Sequence, residues 1–371
     1  MATTATAISS AAAGQLHDDV YDRMKEVQEF EDSKLGVKGL VDSGISSIPR
    51  FFVHPNFKPD PNPGARPDVI PTIDLSGVDR QDARAKIAAQ ISGACRELGF
   101  FQVVNHGIPV EFLDRFVGAV RGFHEQPTEE KAKLYRREPG TGVSFFSNID
   151  LFHSKAASWR DTLQMRLGPT LPELEEIPAI CREEVVEWNQ RAKQVGGLLM
   201  ELLCEGLGVN SGALKERRFL ESRVMVGHYY PYCPQPDLTV GIASHTDPGA
   251  LTLLLQDQVG GLQVKFGEQW VDVVPVRGAL VVNIGDLLQI MSNDEYKSVE
   301  HRVLANPTME PRVSVAVFFN SDEQESVLGP IPELISPEKP AVYREFTKLD
   351  YMRRFFTKEL DGRTLTNFYK L

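Results

Sequence analysis

The sequence has little of several features that mark specialised classes of protein. Only four of its 371 residues are cysteines. They are widely spaced and form no C-x-x-C pair, which argues against a disulfide framework and against a thiolate zinc site. No apolar run approaches the roughly 18 residues that span a bilayer. These absences predict a protein that folds without disulfides and is not inserted in a membrane.

Positive charge is also in short supply. Forty basic side chains stand against fifty-one acidic ones, a formal net charge of −11. That sign repels phosphate backbones and anionic lipid surfaces, so neither nucleic acid nor a membrane is an expected partner. No P-loop, dinucleotide fingerprint or G-x-S-x-G motif is present. Nothing in the sequence indicates an obligate protein partner.

Two segments near the N-terminus have a biased composition. Residues 1–16 are rich in small and polar side chains and predict a disordered tail. The tail lacks the basic start and long apolar stretch of a signal peptide, so a cytoplasmic protein is expected, with a weak transit peptide as the alternative. Residues 54–71 hold six prolines and predict an extended connector.

Hydrophobic periodicity divides the rest of the chain by structure type. Apolar residues spaced by three or four predict helices over Asp82–Leu98 and around 182–205. From Ser222 onward, short runs such as LTLLL, ALVVNIG and RVSVAVFF arrive about every ten residues, which is typical of an all-β sandwich or barrel. The pattern after Pro330 is helical again.

These patterns predict three folded regions. They are a helix-rich N-terminal region with the first β segments (17–215), a β core (216–330) and a C-terminal helical extension (331–371).

One pair of segments has the residue types of a metal site. In His245-Thr246-Asp247 an extended backbone brings an imidazole and a carboxylate to one face. His301 follows on another β-rich segment, and the strands between could return the chain to the same place. Two histidines and one carboxylate form the facial triad of non-haem Fe(II) oxygenases, although zinc would also accept this set.

A third β-rich run adds a candidate anion site. Alternation along RVSVAVFF places Arg312, Ser314 and Phe318 on one face. The planar guanidinium suits a carboxylate, and the serine hydroxyl can donate a further hydrogen bond to the same group. The alternative is a solvated arginine on an edge strand.

Beyond these residues, the sequence resembles the plant 2-oxoglutarate- and Fe(II)-dependent dioxygenases, and within them the homologues of aminocyclopropanecarboxylate oxidase. The resemblance rests on family blocks in family order, including ELGFFQVVNHGIP, SWRDTL, HYYPYCPQPDLTVGIASHTDPGALTLLLQD, EHRV and RVSVAVFF. It implies a mainly β fold with flanking helices, built on a double-stranded β-helix (jelly roll) core. It also implies hydroxylation with O₂, release of succinate and CO₂, and support by ascorbate.

The resemblance assigns roles to individual residues. It implies that His245, Asp247 and His301 hold Fe(II). Arg312 and Ser314 would bind the distal carboxylate of 2-oxoglutarate, and Tyr230 would help to hold this cosubstrate. His228 stands where flavonoid-oxidising members often have Asn, which leaves the contact with the 1-carboxylate open.

The substrate is less legible from the sequence. Similarity to enzymes of plant benzoxazinoid biosynthesis implies an aromatic glucoside of the DIBOA-glucoside type. Phe318, Phe145 and Phe146 are candidates for stacking on such a planar substrate, with core packing as the alternative. Two other functions stay open: an ascorbate-dependent oxidase of the ethylene-forming type, and a jelly-roll binding protein without turnover.

Overall fold

The computed structural model describes residues 21–55, 57, 69–137, 142–357 and 364–371. The predicted tail and most of the proline-rich connector lie outside these ranges. Within them, every helix is too short or too polar to cross a bilayer. All four cysteines are buried free thiols.

Most helices precede or follow the β core in the sequence, and one short helix lies between two of its strands. The described helices are α1 (Arg23–Ser33), α2 (Gly36–Asp42), α3 (Gln81–Glu97), α4 (Val110–His124), α5 (Thr128–Ala132), α6 (Arg182–Leu207), α7 (Ala213–Glu216), α8 (Asp286–Met291) and α9 (Lys348–Thr357). The two helices predicted from periodicity correspond to α3 and α6, each within two residues of its predicted ends.

The strands begin early in the chain and become dense after Ser222. They are β1 (Thr72–Asp74), β2 (Phe100–Val104), β3 (Val143–Phe146), β4 (Asp161–Arg166), β5 (Ser222–Tyr230), β6 (Val240–His245), β7 (Leu251–Gln256), β8 (Leu262–Phe266), β9 (Gln269–Asp272), β10 (Leu280–Ile284), β11 (His301–Leu304), β12 (Arg312–Asn320), β13 (Val327–Leu328) and β14 (Phe346–Thr347). The β-rich runs seen in the sequence therefore form strands.

Two sheets form a sandwich. The large sheet has the order β1-β2-β10-β7-β12-β5-β4-β3, and the small sheet has the order β6-β11-β8-β9. Apolar side chains of both sheets pack together between them, among them Phe100 and Val281 from the large sheet and Ile242 and Leu262 from the small one. The predicted jelly-roll core with flanking helices is confirmed.

The outer face of the large sheet carries the main helical layer. Helices α3 and α6 pack on each other, and α4 and α6 also contact strands of this sheet. Alternation along β12 explains both faces: Val313, Val315 and Val317 belong to the cluster under the helices, while Arg312 and Ser314 point between the sheets. Polar side chains are thereby gathered inside the sandwich.

The N-terminal region contributes strands to the large sheet as well as helices on its outer face. Strands β1 and β2 extend one side of the large sheet, and β4 and β3 extend the other. The predicted boundary between 215 and 216 therefore divides strands of one sheet. The division of the chain into these three regions stays a prediction.

Candidate active site

Two histidines and an aspartate meet at one end of the small sheet. His245 is the last residue of β6, and it pairs with His301, the first residue of β11. Asp247 follows just beyond β6, and its Oδ1 lies 3.7 Å from Nε2 of His245 and 3.6 Å from Nε2 of His301. The three ligand atoms lie within 4.8 Å of one another, and the described residues contain no other such group of potential metal ligands.

Backbone contacts orient both imidazoles. Nδ1 of His245 lies 2.9 Å from the carbonyl oxygen of Ala243, and Nδ1 of His301 lies 3.2 Å from that of Val299. A ring whose Nδ1–H donates to a carbonyl presents its Nε2 lone pair on the opposite side. Both Nε2 atoms therefore face the carboxylate as ligands.

The protonation states suit a cation. Burial, and then the neighbouring His301, lowers the pKa of His245 to about 3. Burial disfavours the charge on Asp247, but the two histidines and two hydrogen bonds outweigh it and lower the pKa of this carboxyl. Metal binding requires an ionised carboxylate, which Asp247 supplies, and two imidazoles with one carboxylate are a ligand set that fits Fe(II).

The second oxygen of Asp247 is held by the large sheet. Thr252 on β7 donates to Oδ2 at 2.6 Å, and Asn283 on β10 donates to the same atom at 2.7 Å. With Oδ2 held in this way, Oδ1 is left to face the histidines. The sequence analysis missed both residues, although a polar residue in an otherwise apolar strand, as in LTLLLQ and LVVNI, was a usable signal.

Arg312 lies deep between the sheets and is 1% exposed. Its Nη1 donates to Ser314 Oγ at 3.1 Å and its Nη2 to Gln256 Oε1 at 3.1 Å. Its Nε and the amide nitrogen of Gln256 are buried without a hydrogen-bond partner. Buried polar groups normally have partners, so these two donors suit an anion such as a carboxylate.

A narrow cavity of about 50 Å³ connects the two sets of residues. It reaches from the triad to Arg312 and Ser314, and Tyr230 lies along it with its ring 4.8 Å from the Arg312 guanidinium. Burial raises the pKa of Tyr230, against the opposing effect of nearby arginines, so its hydroxyl stays protonated.

A second, wider cavity of about 220 Å³ adjoins the first. His228, Ile242, His245, Asp247 and Phe318 line both cavities. Its remaining walls are mostly apolar with a few polar side chains. They include Phe146, Ile149, Arg160, Thr162, Gln164, Val224, Val226, Asn320, Met352, Phe355 and Phe356.

The three predicted substrate-pocket aromatics have different positions. Phe318 lies where the two cavities meet, and Phe146 lines the wider one. Phe145 does neither, because consecutive residues of β3 face opposite sides. Its ring packs against Phe123 and Tyr135 in the core, which corrects the prediction for this residue.

His228 is also at the junction of the cavities. Its Nδ1 lies 3.0 Å from Oγ1 of Thr162 on the neighbouring strand. Burial, followed by the charges of Arg160 and Arg312, holds the pKa of His228 well below its usual value. The ring is therefore neutral, and it lines both cavities.

Comparison with known proteins adds the family context. The sequence profile described as the 2OG-Fe(II) oxygenase superfamily matches residues 221–321, which include the triad and Arg312. A second profile, described as non-haem dioxygenase in morphine synthesis N-terminal, matches residues 70–181. The two matches together span most of the described chain.

Individual relatives are similar over almost their whole length. The chain is 47% identical over 354 residues to 1-aminocyclopropane-1-carboxylate oxidase homolog 4 of Arabidopsis thaliana, covering 94% of this chain and 98% of that protein. It is 44% identical over 363 residues to a homologue from Solanum lycopersicum, covering 95% and 98%. Among solved structures, JOX2 in complex with 2OG, Fe and JA aligns with a TM-score of 0.80 and 34% identity, covering 91% of this chain and 97% of that chain.

Proposed function

We propose that this chain hydroxylates a small aromatic glucoside of the benzoxazinoid type. The chain belongs to the 2OG-Fe(II) oxygenase superfamily and, within it, to the plant 1-aminocyclopropane-1-carboxylate oxidase homologue group. Its reaction class is that of a 2-oxoglutarate-dependent dioxygenase. The observation that carries the proposal is the position of the triad, which lies where a narrow polar cavity meets a wider aromatic one.

The narrow cavity is the proposed cosubstrate site. Arg312 and Ser314 bind the distal carboxylate of 2-oxoglutarate, and Tyr230 packs beside them. His245, Asp247 and His301 hold the metal from one side, with Thr252 and Asn283 fixing the aspartate. When bound, Fe(II) supplies the oxidation of substrate by O₂, coupled to conversion of 2-oxoglutarate to succinate and CO₂.

The wider cavity is the proposed site for the substrate that is hydroxylated. Phe146 and Phe318 offer flat apolar surfaces to an aromatic ring. Gln164 and Asn320 line the same cavity, and the Oδ1 atom of Asn320 is buried without a partner. A glucosyl group supplies hydroxyls for such amides, which favours an aromatic glucoside over a purely apolar compound.

The chain's own contribution is orientation and exclusion of water. Anchoring the cosubstrate at Arg312 fixes its register relative to the triad, and the aromatic walls leave little polar surface to hold solvent beside it.

Cytoplasmic location stays a prediction, with the four buried thiols as its support.

The test is an anaerobic loading of the protein with Fe(II) and 2-oxoglutarate, then exposure to O₂ with a panel of plant glucosides and ascorbate as reductant. Mass spectrometry of the products is expected to show one added oxygen in a benzoxazinoid glucoside, with one succinate formed for each product. Substrate oxidation that requires ascorbate and forms no succinate would instead support the ascorbate-dependent type of oxidase. Absence of oxygen gain in every glucoside would contradict the proposed substrate class.

A further inference from the structure

Arg160 is a buried cation that the roles proposed above leave unused. It precedes β4 in the SWRDTL segment, it is 6% exposed, and its side chain lines the wider cavity. Its Nη1 makes two long hydrogen bonds, at 3.3 Å to the carbonyl oxygen of Gly241 and at 3.5 Å to Oδ1 of Asn148. Its Nε is buried without any partner.

No carboxylate balances this charge at close range. In the described part of the chain Arg160 forms no ion pair, and the carboxylate of the adjacent Asp161 accepts instead from the backbone of Val37 and Lys38. Burial lowers the pKa of Arg160, opposed at longer range by Tyr230, Asp150 and Asp161. A buried charge is costly unless it is paired, and the described residues supply no anion for Arg160. The side chain is therefore suited to bind an anion from a ligand.

Two other buried arginines can be compared with Arg160 by how many of their hydrogen-bond donors have partners in the protein. Arg223 is 3% exposed, and its guanidinium donates to Leu167, Leu220 and Asn189 among other acceptors, so it is saturated by the protein. Arg312 has only side-chain hydroxyl and amide partners and a bare Nε, and it is the proposed carboxylate anchor. Arg160 resembles Arg312 rather than Arg223.

We infer that Arg160 binds an ionised oxygen of the substrate that is hydroxylated, so that this substrate is an oxygen acid such as a hydroxamate or a carboxylate. The inference rests on the proposed function and narrows its substrate class. Arg160 lines the wider cavity, whereas Arg312 lines the narrow one, so the two guanidinium groups bind different anions. Charge-assisted hydrogen bonds at a dry site favour the ionised form of the ligand over a neutral analogue.

The test compares matched pairs of ligands on four proteins. The pairs are a benzoxazinoid hydroxamate glucoside with its N-methoxy derivative, and 4-hydroxycinnamate with its methyl ester. The proteins are wild type, Arg160→Gln, Arg160→Lys and the control Arg166→Gln, which changes an exposed arginine at the far end of the same strand. Calorimetry under anaerobic conditions with Fe(II) and 2-oxoglutarate measures each affinity.

We expect wild type to prefer the anionic member of one pair by roughly tenfold or more. The pair that shows the preference identifies the acid as hydroxamate or carboxylate. Arg160→Gln should abolish the preference, Arg160→Lys should retain part of it, and Arg166→Gln should leave it unchanged. The affinity for 2-oxoglutarate should be the same in all four proteins.

The inference would be overturned by no preference in wild type for either pair, by a preference that survives Arg160→Gln, or by a loss of 2-oxoglutarate affinity in place of substrate affinity. If Arg160→Gln does not fold, Arg160→Lys and the pH dependence of wild type decide, because affinity for the acid should rise as the pH passes through the ligand's own pKa. Hydroxylation of the neutral compounds without dependence on Arg160 would contradict the role of Arg160 but not the proposed hydroxylase function. A binding preference without oxygen gain in any compound would contradict the hydroxylase function but not the role of Arg160 in binding an anion.

Discussion

His301 on β11 lies directly opposite His245 on β6, and the two ring centroids are 4.2 Å apart. The pairing of two antiparallel strands thus fixes the separation of two metal ligands that are 56 residues apart in the sequence. Asp247 completes the set from the loop after β6. The pairing of β6 with β11 sets the positions of the two histidines, and the loop after β6 supplies the negatively charged carboxylate.

Asp247→Ala removes the one anionic ligand of this set. We expect iron content and product formation to collapse together, because two neutral imidazoles alone hold Fe(II) weakly. Metal analysis after gel filtration measures the occupancy, and Asp237→Ala, at an exposed position, is the control. Full iron occupancy in Asp247→Ala would mean that the triad assignment is wrong.

Thr252→Val keeps the shape of the side chain and deletes its hydrogen bond to Oδ2 of Asp247. Loss of a residue that orients a metal ligand costs about 10- to 100-fold in metal affinity or activity. We expect a shift of that size toward higher Fe(II) concentration in activity titrations. Thr357→Val, on the exposed end of α9, should not shift the titration. An equal response in the two variants would remove Thr252 from the site.

Arg312→Lys retains the charge but loses the planar fork that reaches Ser314 and Gln256. We expect 2-oxoglutarate to bind roughly 10- to 100-fold more weakly, with the affinity for the hydroxylated substrate less affected. Steady-state kinetics with 2-oxoglutarate as the varied substrate gives the comparison, and Arg115→Lys on the surface of α4 is the control. An unchanged KM for 2-oxoglutarate would contradict the anchor role.

Phe318→Ala opens the junction between the two cavities. An aromatic pair contributes roughly 0.5 to 1.5 kcal/mol beyond its buried area. We therefore expect a higher substrate KM and more succinate per molecule of product, with little change in the KM for 2-oxoglutarate. Phe145→Leu, in the core, should lower stability without altering the ratio of succinate to product. If Phe318→Ala keeps the wild-type ratio and KM, this ring is core packing.

Asp161 should make the stability of the fold depend on pH. Its carboxylate accepts from the backbone nitrogens of Val37 and Lys38 in α2, and a Cβ on Gly36, whose φ is +68°, would lie 2.6 Å from its Oδ1. Burial nevertheless raises the pKa of Asp161 to about 6 from an ordinary value of 3.8. Because the folded state holds this proton more tightly, the contribution to stability is complete below the ordinary pKa and is lost as the pH rises through the raised one.

Asn does not titrate, so Asp161→Asn isolates this effect. We expect the unfolding free energy of wild type, relative to Asp161→Asn, to fall by on the order of 3 kcal/mol between about pH 4 and pH 7 and then to stay level. Urea denaturation at a series of pH values measures it. A difference that does not vary over this range would show that Asp161 titrates normally.

Local patterns in the sequence were sufficient for the elements and for much of the polar interior. The helical spacing of Ile87, Ile91 and Cys95 predicted α3, because a buried helix face repeats every three or four residues. The alternation of RVSVAVFF placed Arg312 and Ser314 on the face opposite the valines, because strand side chains alternate. The triad and its proposed cosubstrate site followed from the residue types on these faces and from the family resemblance.

Other features were decided by strand order and register, which the sequence alone does not specify. Thr252 and Asn283 meet Asp247 because β7 and β10 are neighbours in the large sheet, and Phe145 turns into the core because β3 presents its neighbour Phe146 to the cavity. That Arg160 is buried without an anionic partner among the described residues can be recognised only from its burial and from the acceptors around it. The sequence by itself determined which residues can bind metal and anions, whereas the tertiary structure decided which of them share a cavity, because side chains far apart along the chain become neighbours only when the strands pair and the two sheets pack.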